Sequence, residues 1–282
     1  DPDRARGGVS MARTAVGQGQ TALITGASSG IGEALAHRFA KAGFNLVLVA
    51  RSADKLKVLS AALARDHGIK AWVSPADLSV PGAAQKLAVA MKRARRPIDV
   101  LVNNAGVLEH GAFVSMRATR HRELIELNVV ALSEMLAHFV PPMVERGQGR
   151  VLNVASIAAF QPVPMLATYA ATKAYVLSLT ESLSEELQGT GVTVTALCPG
   201  ITATSMLDQA QAASAELGGL PSMVIGSAEQ VADEGFQACL KGEVIRVPGV
   251  LNRAATLAGR ATPRWLLPRV SGAMVRRLKG KG

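Results

Sequence analysis

The alternation of short apolar runs with longer helical segments constrains the fold of this 282-residue chain more than any other feature. Runs such as Leu46–Val49 show no polar alternation, which is typical of strands covered on both faces of a parallel sheet. Strands that alternate with helices indicate crossover connections within one sheet. The sequence therefore predicts an α/β fold, with a single Rossmann-type, doubly wound parallel sheet of about seven strands and helices on both faces.

The element boundaries follow from the same pattern and from the residues between the runs. The predicted strands are Thr21–Thr25, Asn45–Ala50, Lys70–Ser74, Val100–Asn103, Arg150–Val154, Val192–Leu197 and Val244–Val247. The predicted helices are Ile31–Ala42, Ala53–His67, Gly82–Ala94, Thr119–Glu145, Tyr169–Gln188 and Ala228–Leu240. Glycines follow four of these helices where a left-handed cap is expected, and Ser52 and Ser227 are predicted N-caps.

The basic charge of the chain is confined to its C-terminal end. Residues 1–240 hold 21 Lys and Arg against 20 Asp and Glu, whereas residues 241–282 hold 10 against 1. A nucleic-acid-binding face would spread its basic residues over the fold, so we expect no nucleic-acid partner. No run approaches the roughly 20 consecutive apolar residues of a membrane-spanning helix, and no transmembrane segment is predicted.

A glycine-rich turn opens the first predicted helix, at the strand ends where doubly wound sheets bind ligands. Its glycines permit a tight turn, a close approach to a pyrophosphate, and close packing of helix on strand. An ordinary strand-to-helix turn is the alternative. The predicted phosphate-binding residues are Gly26, Ser28, Ser29, Gly30, Ile31 and Gly32.

The residues after the second strand indicate which dinucleotide binds. Arg51 offers a planar fork that matches a phosphate, and Ser52 adds a donor, so NADP(H) with its 2′-phosphate is favoured over NAD(H). Arg51 as a solvated residue at the start of a helix is the alternative. After the third strand, Asp77 and Leu78 are placed to contact the adenine, although a turn carboxylate is an equal reading of Asp77.

The segment after the fourth strand and the one after the fifth carry the remaining candidates. Small residues at Asn104, Ala105 and Gly106 would admit a ribose. Ser156 precedes Tyr169 by 13 positions, and Lys173 follows Tyr169 by four, on the same helix face. A nearby ammonium favours the phenolate and lowers the pKa of a phenol, which is otherwise about 10. Tyr169 is therefore predicted to be an acid and base near neutral pH.

These motifs together resemble those of the classical short-chain dehydrogenase/reductase family, in its NADP-preferring form. The shared motifs are Thr-Gly-x-x-x-Gly-x-Gly, Asn-Asn-Ala-Gly, Tyr-x-x-x-Lys with an upstream Ser, and Pro-Gly, in matching order over about residues 20–247. The resemblance implies hydride transfer with NADP(H) and no metal. It implies that Tyr169 is the catalytic acid/base, that Ser156 polarises the carbonyl, and that Lys173 binds the nicotinamide ribose.

The resemblance extends to further residues and to the assembly. Asn128 resembles the fourth catalytic residue, which holds a water for proton relay, and Thr202 resembles the contact to the nicotinamide carboxamide. Thr202 belongs to a predicted cofactor segment, Pro199, Gly200, Ile201 and Thr202. Apolar helix faces at 119–145 and 169–188 favour self-association, and relatives form homodimers or homotetramers. Two isolated cysteines favour a reducing compartment, so we expect a cytoplasmic location.

The expected substrate is a hydrophobic carbonyl compound. The segment Ile157–Leu166 is almost entirely apolar, and Leu108 and Met206 are expected to extend the pocket. We therefore expect an NADPH-dependent reduction of a hydrophobic ketone or aldehyde, with 3-oxoacyl and steroid-like compounds as candidates. The alternative is an NADP-binding regulatory or peripheral membrane-associated protein of this fold with little turnover.

The sequence divides into three parts. Residues 1–10 are expected to be leader residues outside the fold, residues 11–247 form the Rossmann domain with its own active site, and residues 248–282 form a basic helical extension. In the extension, apolar residues such as Trp265 and Met274 recur near every fourth position between arginines. Such a helix can lie on an anionic membrane, form a lid, or pack on the protein itself, and packing is favoured.

Overall fold

The computed structural model describes residues 15–203 and 226–261 of the chain. Its centre is one seven-stranded sheet in which every strand pair is parallel. The strands are β1 (Thr21–Thr25), β2 (Asn45–Ala50), β3 (Ala71–Pro75), β4 (Val100–Asn103), β5 (Gly149–Val154), β6 (Val192–Leu197) and β7 (Ile245–Arg246). Their order across the sheet is β3-β2-β1-β4-β5-β6-β7, so the winding direction reverses between β1 and β4. Ligand sites in such sheets lie at this reversal.

Helices connect the strands and cover both faces of the sheet. They are α1 (Gly30–Lys41), α2 (Ala53–His67), α3 (Ala83–Arg93), α4 (Ala118–Ile125), α5 (Leu132–Glu145), α6 (Ala167–Glu186), α7 (Ala228–Lys241) and α8 (Val250–Ala261). A π-helical segment, Glu126–Ala131, joins α4 to α5 without a break. Two 3-10 turns, Phe113–Ser115 and Ile157–Phe160, follow β4 and β5.

Alternate residues of the strands enter two separate cores. Ile24 of β1 packs with Phe39 of α1 and Phe236 of α7 on one face. Leu23, its neighbour, packs on the other face with Met135 of α5 and Val176 of α6. Because both faces are covered, the strands are apolar throughout, and Ala22–Ile24 and Leu46–Val49 are fully buried.

The predicted fold class, strand count and two-sided helix cover are confirmed. The predicted helix over Thr119–Glu145 is present as one continuous helical stretch, Ala118–Glu145, in which hydrogen bonding shifts to the wider π pattern around Asn128. Ser227 caps α7 through its side chain, which accepts from Gln230 N, but Ser52 makes no such bond at α2. The C-terminal extension begins with a helix, α8. Several predictions concern residues outside the described ranges: the leader at 1–10, the pocket residue Met206, and the apolar positions Trp265 and Met274 of the extension.

Within residues 15–203 and 226–261, one helical stretch, Ala118–Glu145, is long and apolar enough to cross a membrane by length and composition alone. Phe139 and Met143 of this stretch are buried against the sheet. The core of the folded domain therefore accounts for its apolar character.

Candidate active site

A cleft of about 660 Å³ runs along the carboxyl ends of the strands, across the point where the winding reverses. Its size falls within the range of small-molecule and cofactor sites. Of the predicted cofactor-binding and catalytic residues, those that line the cleft are Gly26, Ser28, Ser29, Gly30, Ile31, Arg51, Ser52, Asp77, Leu78, Asn104, Ala105, Gly106, Ser156, Tyr169, Lys173, Pro199, Gly200, Ile201 and Thr202.

The glycine turn after β1 is fixed to the turn after β4 by hydrogen bonds. Asn104 Nδ2 donates to the carbonyl oxygens of Thr25 (3.0 Å) and Gly26 (3.2 Å). Thr25 Oγ1 accepts from the backbone N–H groups of Asn104 (3.0 Å) and Ala105 (2.9 Å). Asn104 therefore shapes the cleft floor by joining its two halves.

Backbone conformation or close packing explains why glycine occupies each of three positions in the turn, Gly26, Gly30 and Gly32. Gly26 has a φ of 65° and Gly30 a φ of 58°, in the left-handed region that favours glycine. Gly32 does not line the cleft, and a Cβ there would lie 2.2 Å from the carbonyl oxygen of Gly26. Gly32 therefore has no room for a side chain where α1 begins, and its predicted cofactor contact stays a prediction. Ser29, the N-cap of α1, makes no side-chain bond to the first turn, so the N-terminus of α1 retains N–H donors suited to a phosphate.

Arg51 and Asp77 line the far end of the cleft, beyond β2 and β3. Asp77 Oδ1 accepts from Ser79 N (3.0 Å) and Ser79 Oγ (2.6 Å). The bonds from Ser79, with a smaller contribution from the charge of Arg51, hold the pKa of Asp77 below its usual value. Asp77 is thus an ionised turn carboxylate, and its adenine contact stays a prediction.

Ser156, Tyr169 and Lys173 meet in one wall of the cleft. The backbone N–H of Ala158 donates to Ser156 Oγ at 3.1 Å and fixes that side chain after β5. Lys173 Nζ donates to the carbonyl oxygen of Val154 at 2.9 Å and lies 5.8 Å from the centroid of the Tyr169 ring. All three side chains are buried. The geometry therefore brings the predicted acid/base, its neighbouring hydroxyl and the lysine together.

Burial controls the protonation of this group. It raises the pKa of the Tyr169 phenol, and the hydrogen bond with Ser156 opposes the shift only in part. Burial also lowers the pKa of Lys173 to about 8, against a smaller opposite effect of Cys198. The net shift of the Tyr169 pKa in the polypeptide by itself is therefore upward, because loss of hydration is its largest cause, and the predicted lowering by Lys173 stays a prediction. The phenol is neutral at pH 7 and holds a proton to donate.

Replacing Lys173 with methionine should stabilise the fold while it removes a predicted cofactor contact. A folded-state pKa of about 8, against the ordinary lysine value of 10.5, means that burying the charged amine destabilises the fold below pH 8. The penalty is on the order of 3 kcal/mol. Loss of the bond to Val154 offsets about 1 kcal/mol of it. We expect the Lys173→Met melting temperature at pH 7 to rise by several degrees.

The pH dependence provides the check on this prediction. The penalty is present in full below pH 8, declines as the amine loses its proton in the folded state, and is absent above pH 10.5. The difference in free energy of unfolding between the variant and the wild type should therefore shrink from pH 8 to pH 10.5. A difference that stays constant, or a variant less stable than the wild type at pH 7, would contradict the assignment.

Asn128 lies behind the cleft wall and does not line it. Its Oδ1 accepts from Val107 N (2.9 Å), and its Nδ2 donates to the carbonyl oxygen of Val107 (2.9 Å) and to Thr172 Oγ1 (3.1 Å). Only 1% of Asn128 is exposed. The π-helical segment thus places this amide where it joins the turn after β4 to α6, the helix of Tyr169 and Lys173. π-bulges are frequent at functional sites.

One end of the cleft is apolar. Ala158, Tyr169 and Ala170 form a small buried cluster against which Leu108, Val163 and Leu166 pack. Gln161 is the polar side chain that the segment Ile157–Leu166 adds to the lining. The backbone N–H of Gly111 donates to Met165 O at 2.8 Å and joins the segments after β4 and β5. Leu108 lines the cleft as predicted, and so do Ile157, Ala158, Val163 and Leu166, whereas the other apolar residues of the segment do not.

The sequence does not reveal the groups that hold the predicted catalytic side chains. Val154 O holds Lys173, Val107 holds Asn128, and Thr172 bonds both Asn128 Nδ2 and Tyr169 O. Backbone carbonyls carry no sequence signature, and Thr172 is one of many helical threonines.

Among residues 15–203 and 226–261, no cluster of three or more His, Cys, Asp or Glu side chains is arranged to hold a metal ion.

Comparison with known proteins gives a consistent result. The sequence profile of the short chain dehydrogenase family matches residues 20–215. Ketoacyl reductase HetN of Nostoc sp. is 34% identical over 203 residues, which are 72% of this chain and 70% of that protein. A short-chain dehydrogenase from Sphingobium yanoikuyae in complex with NADPH has a TM-score of 0.77 and 34% identity, over 85% of this chain and 92% of that chain.

A second solved structure differs in its bound dinucleotide. The short chain dehydrogenase/reductase from Burkholderia phymatum in complex with NAD has a TM-score of 0.75 and 27% identity, over 85% of this chain and 92% of that chain. Fold, site and sequence agree on a class of Rossmann-fold oxidoreductases. The chain belongs to the short-chain dehydrogenase/reductase family.

Proposed function

We propose that the protein is an NADPH-dependent reductase of hydrophobic ketones or aldehydes. The observation that carries the proposal is the cleft itself, with Arg51 at one end and Ser156, Tyr169 and Lys173 in one wall. NADPH supplies the hydride when bound. The donors at the start of α1 and the glycine turn fit its pyrophosphate, and Asn104, Ala105 and Gly106 leave room for a ribose.

The residues of the chain provide the proton and the orientation of the substrate. The neutral Tyr169 phenol donates its proton to the carbonyl oxygen as negative charge develops there. The Ser156 hydroxyl donates a hydrogen bond to the same oxygen and orients it. Lys173 binds the nicotinamide ribose, Thr202 contacts the carboxamide, and Asn128 holds the turn after β4 against α6. Asn128 also resembles the family residue that holds a water to return a proton.

The choice of NADPH rests on Arg51. This side chain lines the cleft after β2, and Ala50, beside it, leaves room for a substituent on the adenosine ribose. A guanidinium forms paired hydrogen bonds to a phosphate, whereas the ribose hydroxyls of NADH favour an acidic residue at this position. The NADPH complex of the Sphingobium relative supports this choice.

The choice of substrate rests on the apolar end of the cleft. Leu108, Val163 and Leu166 offer area for hydrophobic contact, which contributes about 25 cal/mol per Å². The ketoacyl reductase name of the Nostoc relative supports 3-oxoacyl compounds, and steroid-like ketones remain in the class. A screen of aliphatic, 3-oxoacyl and steroid ketones, followed by loss of NADPH absorbance, tests the function. We expect turnover to rise with apolar area, and absence of turnover on all three classes would favour the low-turnover alternative.

We propose that the protein self-associates through the surface of α4, the π segment and α6. A shallow apolar groove there is lined by Phe113, Ile125, Val129, Ala167, Thr168, Ala171 and Thr172. Phe113 is 61% exposed and Ile125 44% exposed, so the isolated chain presents a sizeable apolar patch.

Cys198 and Cys239 are buried and not joined in a disulfide, which fits the reducing, cytoplasmic location that we propose.

Placing a charge in this groove should dissociate the oligomer. We expect the wild type to sediment as a dimer or tetramer of the 29.3 kDa chain and Ile125→Glu to sediment as a monomer. The buried carboxylate would lack a partner in the interface. Val58→Glu is the matched control, since Val58 lies on α2 and is 73% exposed. A monomeric wild type at micromolar concentration, or equal dissociation of both variants, would refute this interface.

A further inference from the structure

One carboxylate holds the beginning of the C-terminal extension against the Rossmann domain. Glu234, on α7, accepts from Arg246 Nε at 3.0 Å and from the backbone N–H of Gly249 at 3.3 Å. Its Oε2 also lies 3.6 Å from Arg253 Nη2. The Glu234 side chain is 19% exposed, so these interactions are partly shielded from water. A single side chain thus joins α7, β7, the turn after β7 and α8.

A second carboxylate, Glu243, belongs to the same cluster and balances its charge. Glu243 Oε2 lies 3.4 Å from Arg246 Nη1, and Arg253 Nε donates to the carbonyl oxygen of Val247 at 3.1 Å. Two carboxylates therefore face two guanidinium groups. Removal of the charge of Glu234 would leave two cations near one remaining carboxylate and would remove the α7 carboxylate that attracts Arg253.

Helix α8, held in this way, contacts the active-site cleft from outside. A Cβ at Gly200 would lie 2.5 Å from Asn252 Nδ2 and 2.7 Å from Asn252 Oδ1, so the amide lies directly over the Gly200 backbone. Asn252 Nδ2 donates to Pro248 O at 2.9 Å, which fixes the amide. Gly200 belongs to the segment that lines the cleft after β6.

The same helix also supports the turn that follows Ser156. Helix α8 packs against the 3-10 turn Ile157–Phe160. The backbone N–H of Ile157 donates to Pro199 O at 2.9 Å and joins this turn to the Gly200 segment. Two walls of the cleft, one after β5 and one after β6, therefore rest on the first turns of the extension.

We propose that Glu234 is a positioning residue for dinucleotide binding. It holds α8 in place, and Asn252 on α8 in turn fixes Gly200 in the conformation that receives the nicotinamide end of the cofactor. The first helix of the extension is then a wall of the active site. This inference rests on the proposed function only in that a dinucleotide occupies the cleft.

Glu234→Gln tests the proposal with two readouts. The first is the Kd of NADPH from fluorescence titration, and the second is the rate of tryptic cleavage after Arg253, identified by mass spectrometry. We expect the Kd to rise roughly tenfold, which corresponds to about 1.4 kcal/mol. Cleavage after Arg253 should become faster because α8 separates from α7, and saturating NADPH should slow it again.

Two further variants separate this role from general stability. Asp233→Asn removes the neighbouring carboxylate on α7, which pairs with Arg38 of α1 at 2.6 Å and not with a described residue of α8. It should leave both readouts at the wild-type value. Asn252→Ala keeps the ion pairs but removes the contact over Gly200, so it should weaken NADPH binding while cleavage after Arg253 stays slow.

The outcomes that overturn the proposal are specific. Wild-type NADPH affinity in Glu234→Gln would refute it, and so would an equal loss of affinity in Asp233→Asn. Wild-type affinity in Asn252→Ala would show that α8 does not act through Gly200. Neither readout requires turnover. A protein that reduced no carbonyl compound would lose the proposed function, and these measurements would still decide the role of Glu234.

Discussion

Replacing Tyr169 with phenylalanine should reduce turnover by about 10³-fold, within the range that general acid catalysis contributes. The variant loses one hydroxyl and keeps the ring, which is buried with Ala158 and Ala170. Without that hydroxyl, no proton is held next to the carbonyl oxygen as the hydride arrives. Steady-state turnover of the best ketone from the screen gives the measurement, and NADPH affinity should change by less than about twofold because the phenol acts on the substrate.

The chain provides a matched control for this prediction. Tyr175, the other tyrosine, is 40% exposed, and its hydroxyl lies 2.8 Å from Ser133 Oγ on the outer side of α6. Tyr175→Phe should keep wild-type turnover. Comparable activity in Tyr169→Phe would remove the phenol from the mechanism, and an equal loss in both variants would point to a defect in folding.

Reversing the charge at Arg51 should convert the preference for NADPH into a preference for NADH. Hydrogen bonds to charged groups contribute about 1.5–3 kcal/mol, and Arg51→Asp also adds repulsion of the phosphate. We expect kcat/KM for NADPH to fall by roughly 100-fold or more, at about 1.4 kcal/mol for each factor of ten. The value for NADH should be unchanged or higher, because a carboxylate can accept from the ribose hydroxyls.

Lys57 supplies the control for this charge reversal. It lies on α2, near Arg51 in sequence, and its side chain is 70% exposed and 3.5 Å from Asp54. Lys57 does not line the cleft, so Lys57→Asp should leave the ratio of the two kcat/KM values within about twofold, as surface changes away from a site usually do. Equal losses for NADPH and NADH in Arg51→Asp would mean that Arg51 does not contact the 2′-phosphate.

The fold and the cleft lining could be predicted from the sequence because both depend on local patterns. Fully apolar runs such as Val100–Val102 are characteristic of buried parallel strands, and glycines mark the turn that approaches a phosphate. Once the strands are known, the segments that follow them must meet at one edge of the sheet. This is why Arg51, Ser156 and Tyr169 could be assigned to one site before their distances were known.

The features that could not be predicted depend on contacts between distant segments. The π-helical segment contains Asn128, whose amide bonds both Val107 and Thr172, and no residue pattern in the helix predicts it. The direction in which the pKa of Tyr169 shifts depends on burial, and the spacing of Tyr169 and Lys173 does not reveal how deeply the phenol is buried. The role that we propose for Glu234 could not be predicted, because the sequence does not show that α8 packs beside α7.

The most direct measurement of the central claim is a crystal structure of the protein with NADP⁺ and the alcohol product of the best substrate. We expect the product oxygen to lie within hydrogen-bond reach of both Tyr169 Oη and Ser156 Oγ, about 2.6–3.2 Å, with the carbon that bears it facing the nicotinamide ring. A phenol turned away from the product oxygen, or a nicotinamide ring bound at another end of the cleft, would contradict the proposed mechanism.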